Sequence, residues 1–180
     1  MVSIEVLDPT VPPRSALAIT PAPRLAKLNG RSLGFVNNNK PNVPVLFDEL
    51  SSQLGEQYEM TEALRVRKPQ APVRISADDL RHFEQKCDAV ILAVADCGSC
   101  TSWLVRDMLA LEEVGIPTVL IASQVFVNLA TAEALANGLP SISMIEVPHP
   151  FDVPEASDVV DLARKIIPEV ANLLLASSPS

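Results

Sequence analysis

"DAVILAVADCGSC", residues 88–100, decides the fold. From Ala89 to Ala95 no side chain is polar, the mark of a central strand covered on both faces. The run stops at Asp96 and, within four residues, supplies two thiols, Cys97 and Cys100, separated by Gly98 and Ser99. A strand that ends in a polar turn and passes into a helix is the βα unit of a parallel sheet.

Reading outward, the same alternation recurs on both sides. "SLGFVN" at 32–37 predicts a first strand, and "PVLFDELSSQL" carries Val45, Leu46, Leu50 and Leu54 at helical spacing. A second strand is expected near 58–66, then a helix opened by Ser76 with Asp79 in the place of the usual Glu of a capping box. After the central strand come a helix "TSWLVRDMLALEEVG" stopped by Gly115 and a strand "PTVLIA". They are followed by a helix "FVNLATAEALANG" stopped by Gly138 and a fifth strand "SISMIEV". A last helix over roughly 157–176 is expected to kink at Pro168. The reading is a three-layer α/β sandwich around a five-stranded parallel sheet, flavodoxin-like or Rossmann-like. Residues 31–180 form its single domain. Residues 1–30, rich in proline and without a sustained period, read as an extended arm lying on its own domain or on a neighbouring subunit.

Composition narrows the function. A chain of 180 residues suits one domain, and a net charge of −8 argues against a nucleic-acid partner, whose phosphates demand a basic surface. Neither a basic and apolar leader nor an apolar run of bilayer length is present, so a cytoplasmic protein without a membrane partner is expected. Three cysteines, an odd number, do not make a disulfide framework. There is neither a GxGxxG fingerprint nor a Walker loop, and no cofactor is expected.

Ligands of open α/β sheets bind beyond the carboxyl ends of the strands, and the polar residues gather in those five loops. The first holds Asn37, Asn38, Asn39, Lys40 and Asn42; the second, Arg65, Arg67 and Lys68; the third, Asp96 to Ser102. The fourth supplies Ser123, Gln124 and Phe126, and the fifth His149 between two prolines. The asparagines serve either as turn residues or as ligand contacts, and the basic residues either as a solvated strand end or as partners of an anion. Lys40 and Lys68 favour a small anionic molecule. His149 suits a general acid or base, or an ordinary surface imidazole. Trp103 and Phe126 either wall a pocket or pack in the core.

Cys97 and Cys100 sit where a strand turns into a helix. The unpaired N–H groups and positive dipole end of a helix start favour a thiolate, Gly98 permits a tight turn, and Ser99 can cap or bond the anion. The spacing brings both sulfurs onto one helical turn, with Cys97 attacking and Cys100 resolving. A structural zinc needs four ligands, and beyond this pair only Cys87, His82 and His149 are available, so no metal is expected. A two-thiol racemase would set its cysteines on opposite sides of a substrate, and inert buried cysteines are disfavoured by the polar turn. Cys87 reads as structural. Asp96 is read as a proton acceptor, as the orienter of a neighbour or as a helix cap; its charge opposes thiolate formation.

At these residues the sequence resembles the UGSC family of bacterial (seleno)proteins, many of which carry selenocysteine-Gly-Ser-Cys where this chain has Cys97-Gly98-Ser99-Cys100. The likeness extends through "EVLDPT" at 5–10, "NNKPN" at 38–42, "RKP" at 67–69, "GIPTV" at 115–119 and "PHP" at 148–150. It implies that position 97 is the chalcogen nucleophile. A further cysteine near Trp103, expected in many relatives, is absent here. The UxxC arrangement is also similar to selenoprotein subunits of glycine-type reductases, which implies reductive cleavage at a substrate carbon.

The function expected is therefore a thiol-dependent enzyme acting on a small electrophile, with redox chemistry favoured and an external thiol reductant as partner. Its catalytic residues are Cys97, Cys100, Asp96 and His149. Its substrate contacts are Asn37, Asn38, Asn39, Lys40, Asn42, Lys68, Gly98, Ser99, Thr101, Ser123 and Phe126. A cysteine-dependent lyase, hydratase or hydrolase and a non-catalytic ligand-binding subunit are the alternatives. The Pro-rich arm and apolar helices favour a homo-oligomer, a homodimer in the simplest case.

Overall fold

Five strands, all parallel, form one sheet in the order β2-β1-β3-β4-β5. They are β1 (Ser32–Asn37), β2 (Thr61–Arg67), β3 (Ala89–Ala95), β4 (Thr118–Ser123) and β5 (Met144–Val147). The structure, a computed structural model, describes residues 18–176. Helices α1 (Val43–Tyr58), α2 (Ala77–Lys86), α3 (Gly98–Glu113), α4 (Val127–Ala136) and α5 (Ala156–Leu174) connect or follow the strands. This is the flavodoxin-like order expected from the sequence, with the switch point between β1 and β3.

The pleat of β3 builds both cores. Ala89, Ile91 and Ala93 pack with α1 and α5 through Leu46, Phe47, Leu50, Ile167 and Val170, whereas Val90 and Leu92 pack with Phe83, Leu104 and Met108 of α2 and α3. Every residue of β3 is buried, as an apolar run between two helical layers requires. At Gly34 a β-carbon would lie 2.8 Å from the Phe83 ring and 2.9 Å from the Cys87 sulfur, so the close approach of α2 to β1 depends on glycine there.

The alternation breaks at the carboxyl end of β3. Ala93 and Val94 both belong to the α1/α5 core, and pairing with β4 skips from Leu92 to Ala95. The Asn38 side chain occupies the break and pairs with both polar groups of Val94, so none of the four hydrogen-bonding groups is stranded. The Ala93–Val94 and His149–Pro150 peptide bonds are cis.

Element boundaries depart from the sequence reading at β2, at α3 and at β5, which starts at Met144 rather than Ser141. Strand β2 starts at Thr61 because α1 runs on to Tyr58 and is closed by Glu59 in the left-handed conformation, φ 54°, with its N–H on the Gly55 and Leu54 carbonyls. Helix α3 starts three residues early because a sulfur caps it. Helix α5 runs from Ala156 through Pro168 to Leu174, close to the span expected. The Ser76–Asp79 pair makes the full reciprocal capping box.

The described part of the N-terminal arm packs on its own domain. Ile19 donates to the Gly138 carbonyl, and Leu25 forms a parallel bridge with Leu175. Ala22 N–H and the Arg24 guanidinium both bond the buried Glu112 carboxylate. Residues 1–17 of the expected arm lie outside the described residues. No helix among the described residues is long and apolar enough to cross a membrane.

Candidate active site

The third strand delivers Asp96 and Cys97 to the rim, and the cap of α3 fixes the sulfur. Cys97 is extended, φ −156° and ψ 164°, and its Sγ accepts the Cys100 N–H at 3.3 Å, replacing the oxygen of a usual N-cap. Its carbonyl accepts the Thr101 N–H, the Thr101 hydroxyl at 2.7 Å and the Cys100 thiol at 3.1 Å. The Ser99 hydroxyl stands 3.8 Å from Sγ.

The two thiols are therefore unlike. Cys97 is half-buried, and burial pushes its thiol up. The Cys100 thiol and amide, the Ser99 hydroxyl and the charge of Lys40 outweigh that penalty and hold it below the ordinary thiol value. Cys100 is fully buried, and burial, followed by the sulfur of Cys97, pushes it up to about 11. At neutral pH the outer sulfur is the better anion and the inner one stays protonated, its S–H on the Cys97 carbonyl. Both are free thiols.

Three strand ends meet beside this pair. Asp96, 7 % exposed, places Oδ1 2.8 Å from His149 Nδ1 and accepts the Phe151 N–H on Oδ2. Ser123 Oγ, at the end of β4, lies 3.1 Å from the same Nδ1 and 3.4 Å from the Ala95 carbonyl. The His149 ring is partly exposed and meets the Phe126 ring edge-on, centroids 5.7 Å apart.

The first loop closes the other side. Lys40 Nζ lies 2.7 Å from Asp152 Oδ2. Partial burial disfavours the Lys40 charge, but Asp152 and the two nearby thiols reverse this and raise the ammonium above its ordinary value. Asn42 holds the fifth loop by donating to the Phe151 and Pro154 carbonyls.

The UGSC family model matches residues 5–176, thiol pair and all five strand-end loops included. The chain belongs to the UGSC family. No curated protein matches it.

Within this UGSC chain the residues nominated from sequence separate into two groups. Cys97, Cys100, Asp96, His149, Ser123, Phe126, Lys40, Gly98 and Ser99 come together around the start of α3. The others are engaged by the protein's own groups. Asn38 is fully buried on Val94, the Asn37 side chain accepts the Asn39 N–H, and Asn39 bonds the Pro69 carbonyl and Arg67. Thr101 is a buried cap rather than a ligand contact. Lys68 corrects an expectation: its ammonium is wholly buried on Asp107, 2.6 Å away, where no ligand reaches it. Burial costs less with a paired charge than with a free one, and Asp107, ten residues along α3, supplies it.

Gly98 corrects another. A β-carbon there would touch nothing within 4 Å, so no tight turn demands glycine; its effect is to leave the helix start uncovered beside the sulfur. Sequence reasoning missed Asp152 and Asp107, which carry no spacing signal relative to their lysines. Arg65 is the solvated strand end it resembled, paired with Glu62 and Asp48 and lying over Phe35 and Phe47. Trp103 is half-buried beside Arg106. Cys87 is buried at the end of α2, its thiol pushed up to about 11 by burial, which suits a structural residue.

Proposed function

We propose that this protein is a thiol-dependent enzyme in which the Cys97 thiolate attacks a small electrophilic substrate and Cys100 resolves the adduct. The observation that carries the reading is the asymmetry of the pair: a half-buried sulfur capping α3 with a lowered pKa, and three residues on a buried thiol raised to about 11. A nucleophile needs its anion at neutral pH, and a resolving thiol must stay protonated until the first sulfur is substituted. In the first step Cys97 Sγ bonds the electrophilic atom and the leaving group departs with its electron pair. In the second, Cys100 loses its proton and attacks Sγ, expelling the substrate group with the bonding pair to be protonated. The two thiols lose two electrons and become a disulfide, the substrate gains them, and an external dithiol restores the pair.

Intact-mass measurement of the protein with candidate electrophiles, with and without reductant, tests the reading. The expected result is an adduct of one equivalent that is lost in Cys97→Ser and converts to a disulfide only while Cys100 is present. Full ligand affinity in Cys97→Ser with no adduct from any electrophile would make the protein a binding subunit instead. A small substrate, the external reductant and a homo-oligomer complete the proposal; light scattering in solution reads the last.

The Asp96–His149 pair favours a second reading, in which Cys97 is a covalent nucleophile for lyase, hydratase or hydrolase chemistry and no disulfide forms. Replacing Cys100 by serine separates the two: turnover ends in the redox scheme and largely survives in the other.

A further inference from the structure

We propose that His149 is the acid of the nucleophilic step, donating a proton from Nε2 to an oxygen that leaves the substrate, with Asp96 and Ser123 as the residues that position it. The proposal rests on Cys97 being the nucleophile and adds the class of electrophile.

The hydrogen bonds assign the imidazole. An ionised Asp96 has only acceptors, and its Oδ2 is already engaged by the Phe151 N–H, so the bond from Oδ1 to His149 Nδ1 requires the hydrogen on Nδ1. Ser123 Oγ then accepts from the same N–H and points its own hydrogen at the Ala95 carbonyl. Every donor in the cluster has a partner in this one arrangement. Nε2 is left as the nitrogen that exchanges protons, on a ring held by a buried carboxylate on one side and by Phe126 on the other. Three strand ends converge to hold it, and Asp96 immediately precedes the nucleophile in the chain.

A prepared proton donor is useful only where the departing atom is basic. Iodide and other weak bases leave as stable anions and gain nothing from it, whereas hydroxide, a strong base, gains greatly. The site is thus built for electrophiles that release hydroxide or an alkoxide. Cys97 releases its proton to solvent and His149 takes one up at Nε2. The S–substrate bond forms, the bond to oxygen breaks with its pair passing to oxygen, and the Nε2 proton follows.

Two probes of the one sulfur test this. Hydrogen peroxide transfers one oxygen to Cys97, reducing the peroxide by two electrons and oxidising the thiolate to the sulfenic acid, with the second oxygen leaving as hydroxide that His149 converts to water. Iodoacetamide alkylates the same sulfur and releases iodide, which needs no proton. In His149→Asn the amide keeps a donor toward Asp96 and removes Nε2. The second-order rate of Cys97 modification by peroxide is expected to fall at least about tenfold while the iodoacetamide rate stays within about twofold. An unchanged peroxide rate, or an equal fall with both probes, overturns the proposal. Failure of the underlying reading looks different: wild-type Cys97 would react with neither probe. Ring 15N spectra supply a second measurement: wild type and Ser123→Ala are expected as the Nδ1–H tautomer, which Asp96 alone enforces, and Asp96→Asn as a mixture. A wild-type Nε2–H tautomer likewise overturns it.

Discussion

Asn38 pairs with Val94 as one strand pairs with another: its Oδ1 accepts the Val94 N–H at 3.0 Å and its Nδ2 donates to the Val94 carbonyl at 2.8 Å. The side chain thereby continues the sheet across the point where β3 and β4 fall out of register. Asn38→Ala leaves two backbone groups buried without partners, at roughly 1–3 kcal/mol each. The expected loss is about 2–6 kcal/mol in urea unfolding. Asn38→Asp is also destabilised, since a carboxylate cannot donate to the Val94 carbonyl. A variant of wild-type stability that lost only ligand affinity would return Asn38 to the substrate contacts.

The thiols titrate in opposite directions from their common starting value. Cys97 loses its proton at lower pH than an ordinary thiol and Cys100 at about 11. Alkylation at pH 8 is therefore expected to give a single adduct, at Cys97, with Cys87 and Cys100, both raised to about 11, joining only as the pH nears that value. Lys40→Met removes a positive charge beside the sulfur, so the Cys97 midpoint moves up and its alkylation at pH 7 slows about two- to fivefold. Peptide mapping after timed alkylation reads both effects.

Lys68 and Asp107 should behave as one unit. Burial raises the Asp107 carboxyl more than Lys68 lowers it. Lys68→Met leaves a buried charge uncompensated and is expected to cost roughly 3–5 kcal/mol; Lys68→Met with Asp107→Asn recovers most of it, because the amide still accepts the Ile75 N–H. In the single variant the native carboxyl holds its proton to higher pH than the unfolded one, so the native state binds more protons and stability rises as pH falls. The deficit therefore shrinks toward acid pH. Urea titrations of the three variants at two pH values measure it.

Glu112 is where the arm is fastened. It accepts from the Ala22 and Thr118 N–H groups, the Thr118 hydroxyl and both Arg24 nitrogens. Glu112→Ala strands an arginine and two buried amides, an expected loss of about 3–5 kcal/mol, against about 1–3 kcal/mol for Arg24→Ala, which leaves the other donors paired. Thermal unfolding ranks the two. Equal losses would mean that the ion pair alone holds the arm.

Much of this protein could be read from the chain because burial leaves a local trace. Ala89 to Ala95 had to be a central strand, since nothing in it could face water, and the βα alternation around it follows from period and punctuation. The position of Cys97 at a helix start was legible for the same reason. What the sequence hid was which polar residues were already spoken for. Asn38, Thr101 and Lys68 have the composition of ligand contacts, and each is consumed by a partner that no local pattern names.

Sequence alone determined five strands, the layers that cover them and the helix start on which the reactive sulfur stands, because each depends on neighbours within a few residues. Tertiary structure alone decided that Asp96 meets His149, 53 positions away, that Lys40 leans on Asp152, and that Lys68 turns inward to Asp107. Those pairings satisfy charges and hydrogen bonds between different loops, and their geometry exists only once the sheet has set the order of its strands.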